Sequence, residues 1–290
     1  MKILVTGRNG QVGYELERSL QGLGEVVAVD RGQMDLSDLR QVRQVIRSVR
    51  PNLIVNAAAY TAVDRAESEP ALAMRINGEA PAVMAEEARR LGAGIIHYST
   101  DYVFDGTKAT AYVETDAPCP VNVYGATKLA GEQAIQAAGV PHLILRTSWV
   151  FGMRGKNFLL TVMRLAGERS ELRIVGDQFG APTWCRSVAD ASAQLVARLD
   201  ARSGALAAMA GELGGIYHMT SSGRTSWHGF TEEIVRHASI AGKPAVSAIR
   251  SEDYPAPAQR PRNSELSGAR LRALNIFMPD WQHALALCRG

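Results

Sequence analysis

The sequence predicts an α/β fold built on a doubly wound parallel sheet, and three observations predict it. Short apolar runs rich in Ile, Val and Leu recur through the first half of the chain, amphipathic helical stretches separate them, and a glycine-rich turn joins the first run to the first helix. Strands that read as continuous apolar runs are buried on both faces, which requires helices on each side of the sheet.

Lys2 to Thr6 is the first run, closed by Gly7, and Gln11 to Leu20 follows with Val12, Leu16 and Leu20 on one helical face. Glu25 to Asp30 reads as the second strand. Leu39, Val42, Ile46 and Val49 recur at helical spacing behind Ser37 as the expected cap, and Pro51 precedes the apolar strand Leu53 to Ala57. The pattern then predicts a long helix over Ala71 to Leu91, a strand over Gly94 to Thr100, a helix over Val123 to Ala138 and a strand over His142 to Thr147. Beyond Trp149 the alternation loosens. Helices are expected near Phe158 to Arg169, Ser187 to Leu199 and Trp227 to Ala241, strands near Leu172 to Val175 and Gly215 to Thr220, and a Gly/Ala-rich loop over Ser203 to Gly215. Pro255, Pro257 and Pro261 make Tyr254 to Arg262 irregular. The expected architecture is Rossmann-like: a dinucleotide-binding domain from residues 1–150 plus about 187–220, and a smaller, discontinuous C-terminal lobe from 151–186 and 221–290.

Composition excludes other classes. The 290 residues carry 32 Lys+Arg against 29 Asp+Glu, a net charge of +3, with 46% hydrophobic and 21% charged residues. A disordered chain holds fewer apolar residues, and a nucleic-acid module gathers its cations into a patch, so neither class nor a nucleic-acid partner is expected. No apolar run approaches the roughly 18 to 20 residues of a membrane span, and Met1-Lys2 leads directly into Ile3. No membrane association is expected, and the cytoplasm is the expected compartment. Cys119, Cys185 and Cys288 are odd in number and far apart, fitting neither a disulfide framework nor a metal knuckle.

Four signals carry chemistry. Gly7, Gly10 and Gly13 lie between the first strand and first helix, where glycine lets backbone approach a pyrophosphate and the helix start supplies free N–H donors. Asp30 ends the second strand about 20 residues on, where an acid accepts from an adenosine ribose; Arg31 beside it suits a 2′-phosphate instead, so NADH and NADPH both remain open. Tyr124 and Lys128 stand four apart on one helical face, and a nearby cation favours a phenolate. Thr100 and Asp101 close a strand at its carboxyl end, where open α/β sheets place ligands.

These residues, with Asn56-Ala57-Ala58-Ala59 after the third strand, resemble the extended short-chain dehydrogenase/reductase family. Longer blocks, Val55 to Glu67, Tyr98 to Phe104, Asn122 to Glu132, Arg146 to Val150, Asp177 to Thr183 and Arg260 to Ser264, resemble the dTDP-sugar reductases within it. The resemblance implies NADPH- or NADH-dependent reduction of the 4-keto group of dTDP-4-dehydro-6-deoxy-L-mannose to dTDP-L-rhamnose, with residues 151–186 and 221–290 as the sugar-nucleotide lobe. It implies Tyr124 as proton donor, Lys128 lowering its pKa and holding the nicotinamide ribose, and Thr100 at the ketone. Gly10, Gln11 and Val12 would meet the pyrophosphate, Asp30, Asp35 and Leu36 the adenosine, and Ala58, Ala59 and Tyr60 the ribose and nicotinamide. Thr61, Asp101 and Trp149 fall where the family meets its sugar nucleotide. Some members hold Mg²⁺ at a dimer contact through acidic side chains; here Glu15 matches one position, Arg186 stands at another, and the helix from Trp281 to Gly290 has no carboxylate. No bound metal is therefore expected, and a homodimer is left open. Two alternatives share the cofactor machinery. One is an NAD-retaining sugar-nucleotide epimerase or dehydratase, although Tyr102 stands where a dehydratase has its second carboxylate. The other is a non-catalytic regulatory binding protein, against which the complete Thr100, Tyr124 and Lys128 set argues.

Overall fold

The computed structural model describes residues 1–200, 211, 213–238 and 242–289. The first half alternates β1 (Lys2–Thr6), α1 (Gln11–Ser19), β2 (Glu25–Val29), α2 (Leu39–Val49), β3 (Leu53–Asn56), α3 (Val63–Ser68), α4 (Pro70–Met74), α5 (Ala80–Leu91), β4 (Gly94–Thr100), α6 (Val123–Ala137) and β5 (His142–Thr147). The second half adds β6 (Val150–Phe151), α7 (Phe158–Glu168), β7 (Glu171–Val175), β8 (Phe179–Gly180), β9 (Thr183–Trp184), α8 (Cys185–Asp200), β10 (Gly215–His218), β11 (Thr225–Ser226), α9 (Trp227–His237), β12 (Ala245–Ile249), α10 (Ala269–Ala273) and α11 (Trp281–Arg289).

Six strands form the central sheet in the order β10-β5-β4-β3-β1-β2, and every pairing is parallel. The order in which successive strands are laid down reverses between β1 and β3, which is where a doubly wound fold opens its ligand crevice. Alternation along each strand divides the apolar residues between two cores. Ile3, Val5, Val55, Ile96 and Leu145 meet α1 and α8 on one face. Leu4, Ile54 and Ile95 meet α2, α5 and α6 on the other. A third core joins Phe151 of β6 with Leu159, Phe230, Ile234 and Trp281 from α7, α9 and α11.

Several boundaries differ from the sequence reading. The helix expected from Ala71 begins earlier and is interrupted: α3 and α4 precede a π-helical turn over Arg75–Glu79, and only then does α5 run. Pro81 has no N–H to offer the carbonyl of Asn77, so the helix widens before it. The cap of α2 is Asp38, which accepts from the backbone N–H groups of Arg40 and Gln41 at 3.0 and 3.2 Å; Ser37 instead donates to Asp35 at 2.7 Å. No sequence pattern marks β12, because its support is a parallel pairing with β7, far away in sequence. The helix expected to reach Ala241 ends at His237. Residues 239–241, and most of the loop expected over Ser203 to Gly215, lie outside the described residues. Among those described, no helix is long and apolar enough to cross a membrane, and Cys119, Cys185 and Cys288 are free thiols.

The outer layer contains one acid-sensitive joint. Glu87 of α5 is 1% exposed and receives Arg47 and Arg43 of α2 at 2.7 and 2.9 Å. Hydrogen bonding by Arg47, then by Arg43, outweighs burial and holds its carboxyl down at about 2. A carboxylate depressed in the folded state contributes stability above its unfolded pKa and loses that contribution as pH falls through the folded value. Urea midpoints measured from about pH 6 down to about pH 3 should therefore fall more for the native protein than for Glu87→Gln. Parallel falls would remove this role from Glu87.

Candidate active site

The crevice floor is the turn after β1. Gly7 has φ +73°, the Gly10 N–H donates to the Gly7 carbonyl at 2.8 Å, and a Cβ on Gly13 would meet that carbonyl oxygen at 2.1 Å. Only glycine lets α1 start this close over the turn. The N-cap of α1 is Gly10, with no side-chain cap. The first-turn N–H groups of Gln11, Val12 and Gly13 thus remain available, which suits a pyrophosphate. The Gln11 side chain donates to the Val150 carbonyl at 3.2 Å and accepts from Asn157 at 2.8 Å, tying the turn to the second half of the chain. Val12 packs against the core on the α1 side of the sheet.

At the far end of the crevice, Asp30 shapes its own turn, accepting from the N–H groups of Gly32 and Gln33 at 2.9 and 3.2 Å and from Asn9 at 3.3 Å. Arg31, 79% exposed, reaches Asp35 at 3.2 Å. The Ser37 N–H, with help from Arg31, holds the Asp35 carboxyl below its usual range. Leu36 is buried in the core beneath α2, so its side chain is a packing element.

The strand register builds a polar line under the crevice. Thr6 pairs with Asn56 and Asn56 with His97, so three polar side chains stand side by side on adjacent strands. The Thr6 hydroxyl donates to Asn56 at 2.7 Å and accepts from the Ala58 N–H at 3.1 Å; Asn56 lies 3.0 Å from His97 Nδ1. His97 Nε2 is 3.2 Å from Lys128 Nζ, which donates to the Tyr98 carbonyl at 2.6 Å. A line of buried polar contacts thereby runs from the glycine turn to Lys128. Beyond Ala58, the π-turn residue Asn77 clamps Tyr60 from both sides, accepting from its N–H at 2.8 Å and donating to its carbonyl at 3.0 Å. The Tyr60 phenol is tied to Glu69, so Tyr60 offers the crevice its backbone. Ala59 is half-buried and Thr61 is exposed.

Asn122 caps α6 by accepting from the Gly125 N–H at 2.8 Å, and this start sets Tyr124 and Lys128 one turn apart above β4. Burial lowers the Lys128 ammonium to about 8 against the opposing charge of Glu132. Lys128 is 2% exposed, and with one N–H given to the Tyr98 carbonyl, N–H groups remain for a ligand. Burial pushes the Tyr124 phenol up to about 12, and the Thr100 hydroxyl within its reach only partly opposes that. The expected lowering of Tyr124 by Lys128 is therefore not found, because the ammonium is directed at Tyr98 and His97. A phenol that keeps its proton through neutral pH is suited to donate one.

Thr100 donates to Asp101 Oδ1 at 2.9 Å and accepts from the Tyr102 N–H at 3.1 Å. Asp101 is 3% exposed, and burial raises its carboxyl to about 7, only partly opposed by the nearby Ser264 and Thr100 hydroxyls. The Tyr102 ring meets that of Tyr124 edge-on at 5.9 Å. Trp149 has φ +46° and lies flat on Trp227, with centroids 3.6 Å and planes 7° apart. A bulky residue held in the left-handed region is strained, a feature that clusters at ligand sites.

The family described as RmlD substrate binding domain matches residues 1–289. The chain belongs to that family. It is 52% identical to a dTDP-4-dehydrorhamnose reductase of Burkholderia thailandensis, covering 99% of this chain and 98% of that protein. It is 44% identical to the dTDP-4-dehydrorhamnose reductase of Escherichia coli K12, over 97% of this chain and 95% of that one. A crystal structure of dTDP-4-dehydrorhamnose reductase from Bacillus anthracis in complex with NADP matches with a TM-score of 0.89 and 35% identity, covering 99% and 98% of the two chains.

Within this member of the family, Thr100, Asp101, Tyr124 and Lys128 gather at the end of β4, while Asp30, Arg31 and Asp35 cluster at the β2 side of the crevice. Arg186 lies 3.7 Å from Glu15, so a cation does stand beside that carboxylate. Sequence reasoning passed over His97, Trp227 and Arg260. A histidine inside the apolar strand Gly94–Thr100 was a usable signal, since polar residues are buried only with partners. Arg260 pairs with Asp64 at 2.5 and 2.8 Å, a contact between segments nearly two hundred residues apart that no local pattern announces.

Proposed function

We propose that the protein reduces the 4-keto group of dTDP-4-dehydro-6-deoxy-L-mannose to dTDP-L-rhamnose, using NADPH or NADH. The observation that carries this reading is the convergence of a protonated Tyr124, the Thr100 hydroxyl and Lys128 at the end of β4, in a chain that aligns with dTDP-4-dehydrorhamnose reductases along nearly its whole length. The uncapped amides of α1 would hold the pyrophosphate of a dihydronicotinamide cofactor over the glycine turn, and a free N–H of Lys128 the adjoining ribose; the cofactor would supply the hydride. Thr100 orients the ketone oxygen, and Tyr124 gives it the proton. Residues 1–150 with about 187–220 would carry the cofactor, and 151–186 with 221–290 the sugar nucleotide, where Trp149 and Thr61 would meet it. No metal is assigned a role.

The test is loss of NADPH absorbance when the keto sugar is added to purified protein. Protein that carries stoichiometric NAD⁺ and ignores added NADPH would instead be an NAD-retaining epimerase. Protein that binds both ligands and turns over neither would be a regulatory binder. Cofactor choice has its own test, because Asp30 is already bonded within its turn while Arg31 extends into solvent. Arg31→Ala should weaken NADPH binding by roughly 10-fold and leave NADH binding nearly unchanged, as expected for loss of one charge-assisted bond to a 2′-phosphate. Equal effects on both would make Arg31 a surface residue.

A further inference from the structure

Among the described residues, Asp101 has the only carboxylate oxygen that is buried without a hydrogen-bond partner, its Oδ2. Ser264 stands nearby, but its hydroxyl donates to the Phe179 carbonyl at 3.3 Å. The other oxygen, Oδ1, takes the proton of Thr100 at 2.9 Å. Thr100 also has the Tyr124 phenol within reach. A hydroxyl has a single proton to give. While that proton points to Asp101, Thr100 can accept from Tyr124. Once Tyr124 has protonated the sugar oxygen, its phenolate needs a donor, and the Thr100 proton must swing to it. An ionised Asp101 would then lose its Thr100 bond while its Oδ2 stays unpartnered in a dry site, a costly arrangement. A proton on Asp101 removes that conflict.

We propose that Asp101 is the internal proton source that restores Tyr124, through the Thr100 hydroxyl, after each reduction. With the Thr100 proton turned to Tyr124, the carboxyl brings its O–H round to Thr100; that O–H breaks as a new one forms on Thr100, and the original Thr100 O–H breaks as the Tyr124 O–H re-forms. Negative charge moves from phenolate to carboxylate, and Asp101 takes a proton from water when product leaves. The direction is downhill, since burial holds the phenol at about 12 and the carboxyl at about 7. The groups facing Asp101 are Thr100 and Tyr102 on its own turn, Tyr124 from α6, and Ser264 from the C-terminal segment. Arg260 faces Tyr102 and is paired with Asp64. None of these places a cation on the Asp101 carboxylate to force it open.

This proposal rests on the reductase reading, and its test separates the two. Infrared spectra of the ligand-free protein should show a buried protonated carboxyl that titrates near neutral pH and is missing from Asp101→Asn; no such band overturns the proposal, whatever the enzyme does. In rapid mixing with NADPH and the keto sugar, Asp101→Asn should complete its first turnover within about 3-fold of the wild-type rate, because Tyr124 starts with its proton. Its later turnovers should be slower by roughly 10- to 100-fold, within the usual range for a lost acid-base group. Asp101→Glu should recover part of that rate. A first turnover slowed as much as the later ones would make Asp101 a sugar-binding group and overturn the relay, as would steady-state rates equal to wild type. A wild-type protein that consumes no NADPH would overturn the reductase reading and this proposal together.

Discussion

Tyr124→Phe should lower turnover by roughly 10² to 10⁴, the range usual for removal of a proton donor, while the dissociation constant for NADPH stays within about 2-fold. The argument for this split is geometric. Tyr124 ends in a hydroxyl whose one neighbour of note is Thr100, whereas the groups that would hold the cofactor belong to the glycine turn, the exit of β3 and Lys128. Phenylalanine keeps the ring, and with it the edge-on contact to Tyr102. Only the hydroxyl is lost, and with it the proton to be given. Steady-state rates and a fluorescence titration with NADPH read the two quantities separately. Turnover within a few-fold of wild type would remove Tyr124 from the chemistry, and a comparable loss of NADPH affinity would make it a cofactor ligand.

The largest effect on stability should come from Glu132→Ala. Arg146 of β5 and Glu132 of α6 are each 1% exposed and meet through two parallel bonds of 3.0 and 2.7 Å. The guanidinium also lies 5.1 Å over the Phe104 ring, and its remaining nitrogen, Nη1, is buried without a partner. Removing the carboxylate would strand a buried cation, which costs about 3–5 kcal/mol in comparable pairs. Chemical denaturation should show a loss of that size. The double change Glu132→Leu with Arg146→Met should be much milder, because both charges leave together. A mild single and a severe double would contradict the buried-pair account. Glu132 also supports the charge of Lys128. Surviving Glu132→Ala protein should therefore hold its lysine proton less tightly than the native enzyme.

What the sequence disclosed was whatever is local. The glycine turn, the Asp30 strand end, the Thr100-Asp101 pair and the spacing of Tyr124 and Lys128 each depend on a few neighbouring residues, and the strands of the central sheet announce themselves by apolar content. What it concealed depends on register or on long chain separations. The line from Thr6 through Asn56 and His97 to Lys128 exists because three parallel strands align those positions. The partner of β12, the Arg260 contact with Asp64, and the stacking of Trp149 on Trp227 join segments that no periodicity connects. Ser37 and Asp38 are both good caps by type, and which of them starts the helix depends on the turn around Asp35. The depressed Tyr124 pKa was expected from charge alone. Burial reversed it, since Lys128 finds its own partners beneath the crevice.

The most direct measurement is the fate of a deuterium placed at the transferable position of the reduced nicotinamide. When the native enzyme turns over the dTDP-keto sugar, the label should appear at carbon 4 of the dTDP-L-rhamnose product, with one equivalent of oxidised cofactor released for each sugar formed. Product without deuterium, or label that returns to a cofactor never released, would contradict the account.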